Sequence, residues 1–193
     1  MIKLFHADFH IGAPNQLEGY GPQNLDPSNF DEWVLGDVYD LVNTKKSLVE
    51  AAEAEFKKMR ALYGRRYITG NHEAQGDYDH FEWVDEEKRI AVMHGDYIFW
   101  GNEKSMKYRR KSHGAGFLKR LLWVNAVEAF EAGYDRQLKE DDLDRFVKFC
   151  KLNQIKTLIV GHLHPSKPID FMRDGRRLIV LKRGTTMIDL DRL

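Results

Sequence analysis

Five short polar clusters hold the chemically active residue types of this sequence: Asp8-Phe9-His10, Gly36-Asp37-Val38-Tyr39-Asp40, Gly70-Asn71-His72-Glu73, His94-Gly95-Asp96 and Gly161-His162-Leu163-His164. Five of the eight histidines fall within them, each beside a glycine or a short loop residue. The donor set is imidazole, carboxylate and one amide oxygen, with no thiolate. Such donors suit Mn, Fe, Co or Zn rather than a structural thiolate zinc site. Seven ligands of this kind are too many for one small ion and about right for two ions that share a carboxylate. Two ions roughly 3.5–4 Å apart clamp a phosphoryl group and acidify a water between them. Residues i and i+2 at a strand end point the same way. Asp8 with His10, and His162 with His164, therefore read as two chelating pairs.

The elements that must position these clusters can be read from patterning. Residues 2–7 form a short apolar run that predicts an opening strand, and Glu32 to Leu35 a second one stopping at Gly36-Asp37. Leu48, Ala51, Ala52, Phe56, Met59 and Leu62 recur at helical spacing between Lys45 and Tyr63, with Gly64 closing that helix. Further strands are predicted at Arg66 to Thr69, Ile90 to Met93 and Thr157 to Val160, and helices at 104–132 and 139–152. A hairpin follows (Ile169 to Met172, Leu178 to Leu181, turning at Arg173-Asp174-Gly175), and then a last strand at Thr186 to Leu190. Residues 12–31, rich in Gly, Pro and Asn, read as one long loop. Each of the five strands that precede the hairpin ends in one of the polar clusters. In α/β sheets the crevice beyond the carboxyl ends of strands is where ligands bind.

Composition narrows the class. With 193 residues and 22.6 kDa the chain has the size of one domain, and 42% hydrophobic content suffices for its own core. Thirty Lys and Arg balance thirty Asp and Glu, so no global attraction to nucleic acid is expected. No apolar run is long enough to span a bilayer, no signal peptide is read at the start, and the lone Cys150 fits a reducing compartment. The expectation is a cytoplasmic protein.

The five clusters taken in order, D-x-H, G-D-x-x-D, G-N-H-E, H-G-D and G-H-x-H, resemble the signature of the calcineurin-like metallophosphoesterase superfamily across residues 8–164. The resemblance implies an α/β fold: a four-layer α/β/β/α sandwich of two mixed β-sheets flanked by helices. The expected organisation is a single domain over 1–193 with a helical insertion at about 104–153. It also implies two divalent ions, manganese first, with iron, zinc, cobalt or nickel as alternatives. One ion would sit on Asp8, His10, Asp37 and His164, the other on Asp37, Asn71, His94 and His162, with Asp37 bridging. The nucleophile it implies is a hydroxide held between the ions. His72 would touch a phosphate oxygen and protonate the leaving oxygen, oriented by Asp40, while Asn71 and His72 would bind substrate. The expected substrate is a phosphorylated small molecule, nucleotide or lipid-linked compound, cleaved as a phosphomonoester, phosphodiester or pyrophosphate.

Within the superfamily the chain looks most like the UDP-2,3-diacylglucosamine diphosphatase branch. It departs from that branch at His72, where the branch carries Arg, and its insertion is shorter. Leu41 and Asp96 separate it from the phosphoprotein phosphatases, and the DNA-repair nucleases need a capping domain for which the chain has little room. A non-catalytic scaffold with this fold is the contrasting class; such proteins often erode the ligand set, which is complete here.

Other residues read differently. The segment 104–120 has seven Lys or Arg and no acid. It is either a solvated helix face or a cationic rim for a polyanion, with Arg109 and Arg110 as candidate substrate contacts and a nucleic-acid strand as a less favoured partner. Phe117, Leu118, Leu121, Leu122, Trp123, Val124, Val127 and Phe130 make a largely apolar helix, by default packed in the core, alternatively a lid for acyl chains. His6, His80 and His113 match no cluster and are expected to be ordinary surface or core histidines. Glu73 is expected to be a loop carboxylate, Asp96 a support for backbone or an imidazole, and Cys150 a small buried hydrophobe.

Overall fold

The computed structural model describes residues 1–73, 81–111, 113–119, 121–122 and 138–193. Two sheets form its frame. The first has the order β2-β1-β8: β1 (Ile2–Ala7) runs parallel to β2 (Glu32–Val34) and antiparallel to β8 (Gly184–Asp189). The second has the order β3-β4-β5-β7-β6, with β4 (Ile90–Met93), β5 (Thr157–Val160) and β7 (Arg176–Val180) parallel. Its edges, β3 (Glu82–Asp85) and β6 (Ile169–Arg173), run antiparallel to their neighbours.

Side-chain alternation sorts these strands into layers. Ile90, Val92, Ile159 and Ile179 of the second sheet face Phe5, Ala7 and Trp33 of the first, and this is the core between the sheets. The intervening Ala91, Met93, Leu158, Val160, Leu178 and Val180 face outward, onto Leu143, Phe146, Val147 and Cys150 of α4 (Glu140–Leu152; α2 and α3 are defined below). Strands buried on both faces need apolar side chains at successive positions, which explains the runs Ile90-Ala91-Val92-Met93 and Leu158-Ile159-Val160. On the far side of the first sheet, Val34 packs with Phe56, Met59 and Tyr63 of α1 (Val49–Tyr63). The result is helix, sheet, sheet, helix, the four-layer arrangement expected. Burying each large aliphatic side chain is worth about 1.5–3 kcal/mol, so this double-sided core rather than helix propensity fixes the frame.

Both long helices end for local reasons. Gly64 closes α1 at a φ of 57°. α4 opens with three acids, and Asp142 reaches back to accept the Lys139 backbone N–H at 3.1 Å, which satisfies a donor the helix cannot.

Three expectations fail. The strand predicted at Arg66 to Thr69 is not one: Arg66 completes a 3₁₀ turn (Gly64–Arg66), and only Tyr67 pairs, bridging Val34. The helix predicted over 104–132 is preceded by α2 (Asp96–Trp100) and begins within α3 (Asn102–Arg109), which ends at Arg109. Gly114 then turns at a φ of 87° and Ala115 bridges Lys45, so no continuous helix crosses this stretch. Residues 112, 120 and 123–132 of that prediction, with Trp123, Val124, Val127 and Phe130, lie outside the described residues, as does His80. Finally, Phe117, Leu118, Leu121 and Leu122 are 82%, 71%, 53% and 65% exposed, so this segment is not core. No helix among the described residues is long and apolar enough to cross a membrane.

Candidate metal centre

The donor residues lie just past the carboxyl ends of β1, β2, β4 and β5, and the backbone leaves those strands abruptly. Asp8, His10, Asp37, His162 and His164 all have φ between 52° and 68°. They are five of the eight described non-glycine residues with positive φ. Asp and His tolerate this left-handed region better than most side chains, and conformations of this kind cluster at functional sites. Neighbouring exits are tied together: Asp8 N–H donates to Gly36 O at 3.1 Å, His10 N–H to Asp37 O at 2.9 Å, and Gly161 N–H to His94 O at 2.9 Å. The two sheets are joined where His162 N–H donates to Asp8 Oδ2 at 2.9 Å. Beneath Asp37 two glycines lie back to back. A Cβ on Gly36, at a φ of 83°, would meet the Gly70 backbone, and one on Gly70 would strike the Asp37 carboxylate.

Three donor groups form among the described residues, and one of them joins His10 to Asp40 and His72; the other two gather at the strand ends. Asp8, His10 and His164 offer atoms within 4.8 Å of one another, and so do Asp37, His94 and His162. The pairing by strand alternation is thus half wrong. Asp8 and His10 share a group, but His162 and His164 belong to different ones.

In the second group, His94 Nδ1 donates to the Leu35 carbonyl at 2.8 Å, which turns its Nε2 inward. That atom lies 2.9 Å from Asn71 Oδ1, 3.1 Å from Asp37 Oδ2 and 3.1 Å from His162 Nδ1. In the first group, His10 Nδ1 is held by Asp40 at 3.3 Å, and its Nε2 is 3.3 Å from His164 Nε2, which is itself 3.3 Å from Asp8 Oδ1. Asp8 Oδ1 is buried with no hydrogen-bond partner. Imidazole nitrogens and carboxylate oxygens converging in this way hold a cation among them, a proton or a metal, so the donor chemistry fits divalent metals at both places.

The charges agree. Burial alone would raise the Asp8 carboxyl, yet His164 and His94 hold it down at about 2. Asp37 also stays well below the ordinary carboxylate range, opposed by burial and held by His94 and His72. Conversely, His94 is pushed up to about 10, because Asp37 and Asp8 outweigh its burial. The carboxylates that hold a proton there would hold a divalent ion in its place.

His72 stands beside the two groups. Its backbone N–H donates to Asp37 Oδ1 at 2.7 Å and its Nδ1 to Asp40 Oδ2 at 2.8 Å. Burial favours the neutral ring, but Asp40 and Asp37 raise it to about 9, so the imidazole is cationic at neutral pH. Its Nε2 faces the Tyr108 hydroxyl at 3.4 Å. Asp40 Oδ2 accepts from His72, His10 and Asn43 Nδ2 (2.9 Å), while its Oδ1 accepts the Asn43 N–H at 2.7 Å. One fully buried carboxylate therefore orients a histidine of the first group and His72 together.

Among the remaining site candidates, Arg109 is corrected. It is buried, with Nε and one terminal nitrogen on Asp96 at 2.9 and 2.8 Å and its other donors on the Thr69 and Gly70 carbonyls. Its guanidinium is spent inside the protein, fastening α3 to the loop that carries Asn71. Arg110, by contrast, is exposed. Asp96, which also accepts from Ser105, supports Arg109.

Glu73 is no simple loop carboxylate. It is buried and accepts Tyr39 N–H at 2.9 Å, Tyr67 O–H at 2.6 Å and Gly70 N–H at 3.0 Å, a hub that no local pattern announces. His6 is a core histidine between Glu32 and Thr185. Burial pushes the Cys150 thiol up to about 12, as an inert packed cysteine requires.

Vacuolar protein sorting 29 from Cryptosporidium parvum is 12% identical, over 94% of this chain and 74% of that one, with a TM-score of 0.44. Phosphopantetheinyl hydrolase from Mycobacterium tuberculosis is 15% identical, over 93% of this chain and 89% of that one, at 0.37. No curated protein matches the sequence. The sequence profile described as Calcineurin-like phosphoesterase matches residues 4–166, a span that takes in all five clusters, and on that match the chain belongs to this family.

Proposed function

We propose that this protein is a two-metal phosphoesterase, with Asp8, His10, Asp37 and His164 holding one ion and Asp37, Asn71, His94 and His162 the other. The observation that carries the reading is the meeting of imidazole and carboxylate donor atoms, from four strand ends, in two adjacent groups. Bound divalent ions, manganese foremost, would supply Lewis acidity toward a phosphoryl oxygen and an acidified water. The chain's own residues do the rest. Leu35 and Asp40 orient the His94 and His10 rings through Nδ1, which turns each Nε2 inward toward the metal sites. Asp37 keeps one oxygen on the His72 N–H and presents the other to the centre. His72, cationic and steered by Asp40, holds a proton at Nε2 for the leaving oxygen.

The test is hydrolysis of p-nitrophenyl phosphate and its bis-ester with Mn²⁺ and after chelation. Turnover that requires the metal is expected; none on either ester, with or without metal, contradicts the proposal.

A lipid-linked diphosphate is a second reading for the substrate, favoured by the exposed Phe117, Leu118, Leu121 and Leu122. Faster cleavage of UDP-2,3-diacylglucosamine than of UDP-glucose is its expected mark, and equal rates count against it.

A further inference from the structure

An aromatic wall from α2 and α3 spans the distance between the second donor group and His72. Trp100 meets the His162 ring edge-on at 4.4 Å between centroids and touches Tyr108 at 5.2 Å, and Tyr108 lies 5.1 Å from the His72 ring. Lysines cap this wall. Lys104 Nζ sits 5.0 Å from the Trp100 ring and Lys111 Nζ 3.8 Å from the Tyr108 ring. Lys107 and Lys119 lie close enough to Lys111 for their charges to act on it.

Residues 104–120 contain no acid, and among the described residues Lys107 and Lys111 have no carboxylate partner. Burial lowers the Lys111 pKa, and the Lys119 and Lys107 charges add to it. Like charges gathered beside a site, with nothing opposite them, are stabilised by an incoming anion. Position then indicates which anion. Lys111 Nζ lies against the Tyr108 ring, and the Tyr108 hydroxyl faces His72 Nε2. Whatever leaves the phosphorus passes there.

We propose that Lys111, with Lys107 and the Tyr108 ring, forms an anion subsite for a second phosphoryl group beyond the scissile bond, so that the substrate is a diphosphate ester. This rests on the phosphoesterase reading above and names its leaving group. In the step, the oxygen of water bonds to one phosphorus and the bridging P–O bond breaks. The departing phosphate keeps that bond's electron pair and takes the proton from His72 Nε2, and His72 is reprotonated from the attacking water. The negative charge gathered on the departing phosphate is what the Lys111 ammonium meets.

The test compares the binding of methylenediphosphonate and orthophosphate by calorimetry to Mn²⁺-loaded wild-type protein, Lys111→Gln, the Lys107→Gln/Lys111→Gln pair and a distant control, Lys148→Gln. Near-ultraviolet circular dichroism checks that each variant is folded. The diphosphonate should bind wild type at least about tenfold more tightly than orthophosphate, and Lys111→Gln should remove roughly that advantage, as loss of one charge-assisted contact does. Lys148→Gln should change neither affinity.

Equal losses for the two anions, or no loss for the diphosphonate, overturn the subsite. A single-stranded oligonucleotide that outcompetes the diphosphonate with a steep salt slope overturns it in favour of a nucleic-acid face. Orthophosphate binding that is indifferent to metal overturns the phosphoesterase reading itself, and the subsite with it.

Discussion

Asp40 touches His10, His72 and Asn43 at once, so one substitution tests two roles together. Asp40→Asn is expected to weaken metal binding by about 10–100-fold, as loss of a carboxylate behind a histidine ligand does, and also to lower turnover at saturating metal. His72→Ala separates the roles: metal stoichiometry should be unchanged while kcat falls by roughly 10²–10⁴-fold, the range for a general acid. Equilibrium dialysis beside steady-state kinetics reads both, and a metal lost in His72→Ala contradicts its assignment. At this scale the sequence was most legible, since the types and spacing of Asp8, His10, Asp37, Asn71, His94, His162 and His164 mark every residue of the two donor groups. It was silent on the partners behind them. That Glu73 binds Tyr39, Tyr67 and Gly70, or that Asp40 reaches His10, depends on contacts between distant chain segments, and such contacts leave no local pattern.

Among the elements, α3 is the one whose role departs furthest from expectation. Arg109 clamps it to Asp96 and to the carbonyls of the Asn71 loop instead of facing a polyanion. Because both partners are buried, Arg109→Met should cost about 3–5 kcal/mol and lower the melting temperature by roughly 2–4 °C for each kcal/mol. A rim cation would instead leave stability intact and raise KM, so thermal denaturation beside kinetics distinguishes the two.

The pH dependence follows the same pair. Asp96 is held at about 2, against an ordinary 3.8, with His94 and Arg109 overcoming its burial. Its contribution is therefore complete above pH 4 and lost as pH falls through about 2. The stability gap between wild type and Asp96→Asn, measured by urea unfolding, should close over that window; a gap unchanged at pH 2 contradicts the assignment.

The doubly buried strands β4 and β5 were legible to the residue, as was β1, and α4 to within one. Continuous apolar runs and an acidic first turn are strong signals. β3 was missed because it is an edge strand of four half-buried residues, and Tyr67 pairs at one point only because glycines on both sides cut its segment short.

For the whole molecule, two sheets from separate parts of the chain meet at one end, where carboxylates and imidazoles crowd together. Divalent ions that bind only the folded chain must stabilise it, by about 2.7 kcal/mol at a hundred times the dissociation constant, so chelation should lower the melting temperature of metal-loaded protein. With His94 held near 10 in the absence of metal, loading at pH 7 should also release protons, which a pH indicator detects.

The most direct measurement is equilibrium dialysis against Mn²⁺ with metal content determined per chain, for wild type and Asp37→Ala. Two ions on wild type, and the loss of both when the shared aspartate is removed, are the predicted result. Fewer than two on wild type, or an unchanged pair in Asp37→Ala, would contradict it.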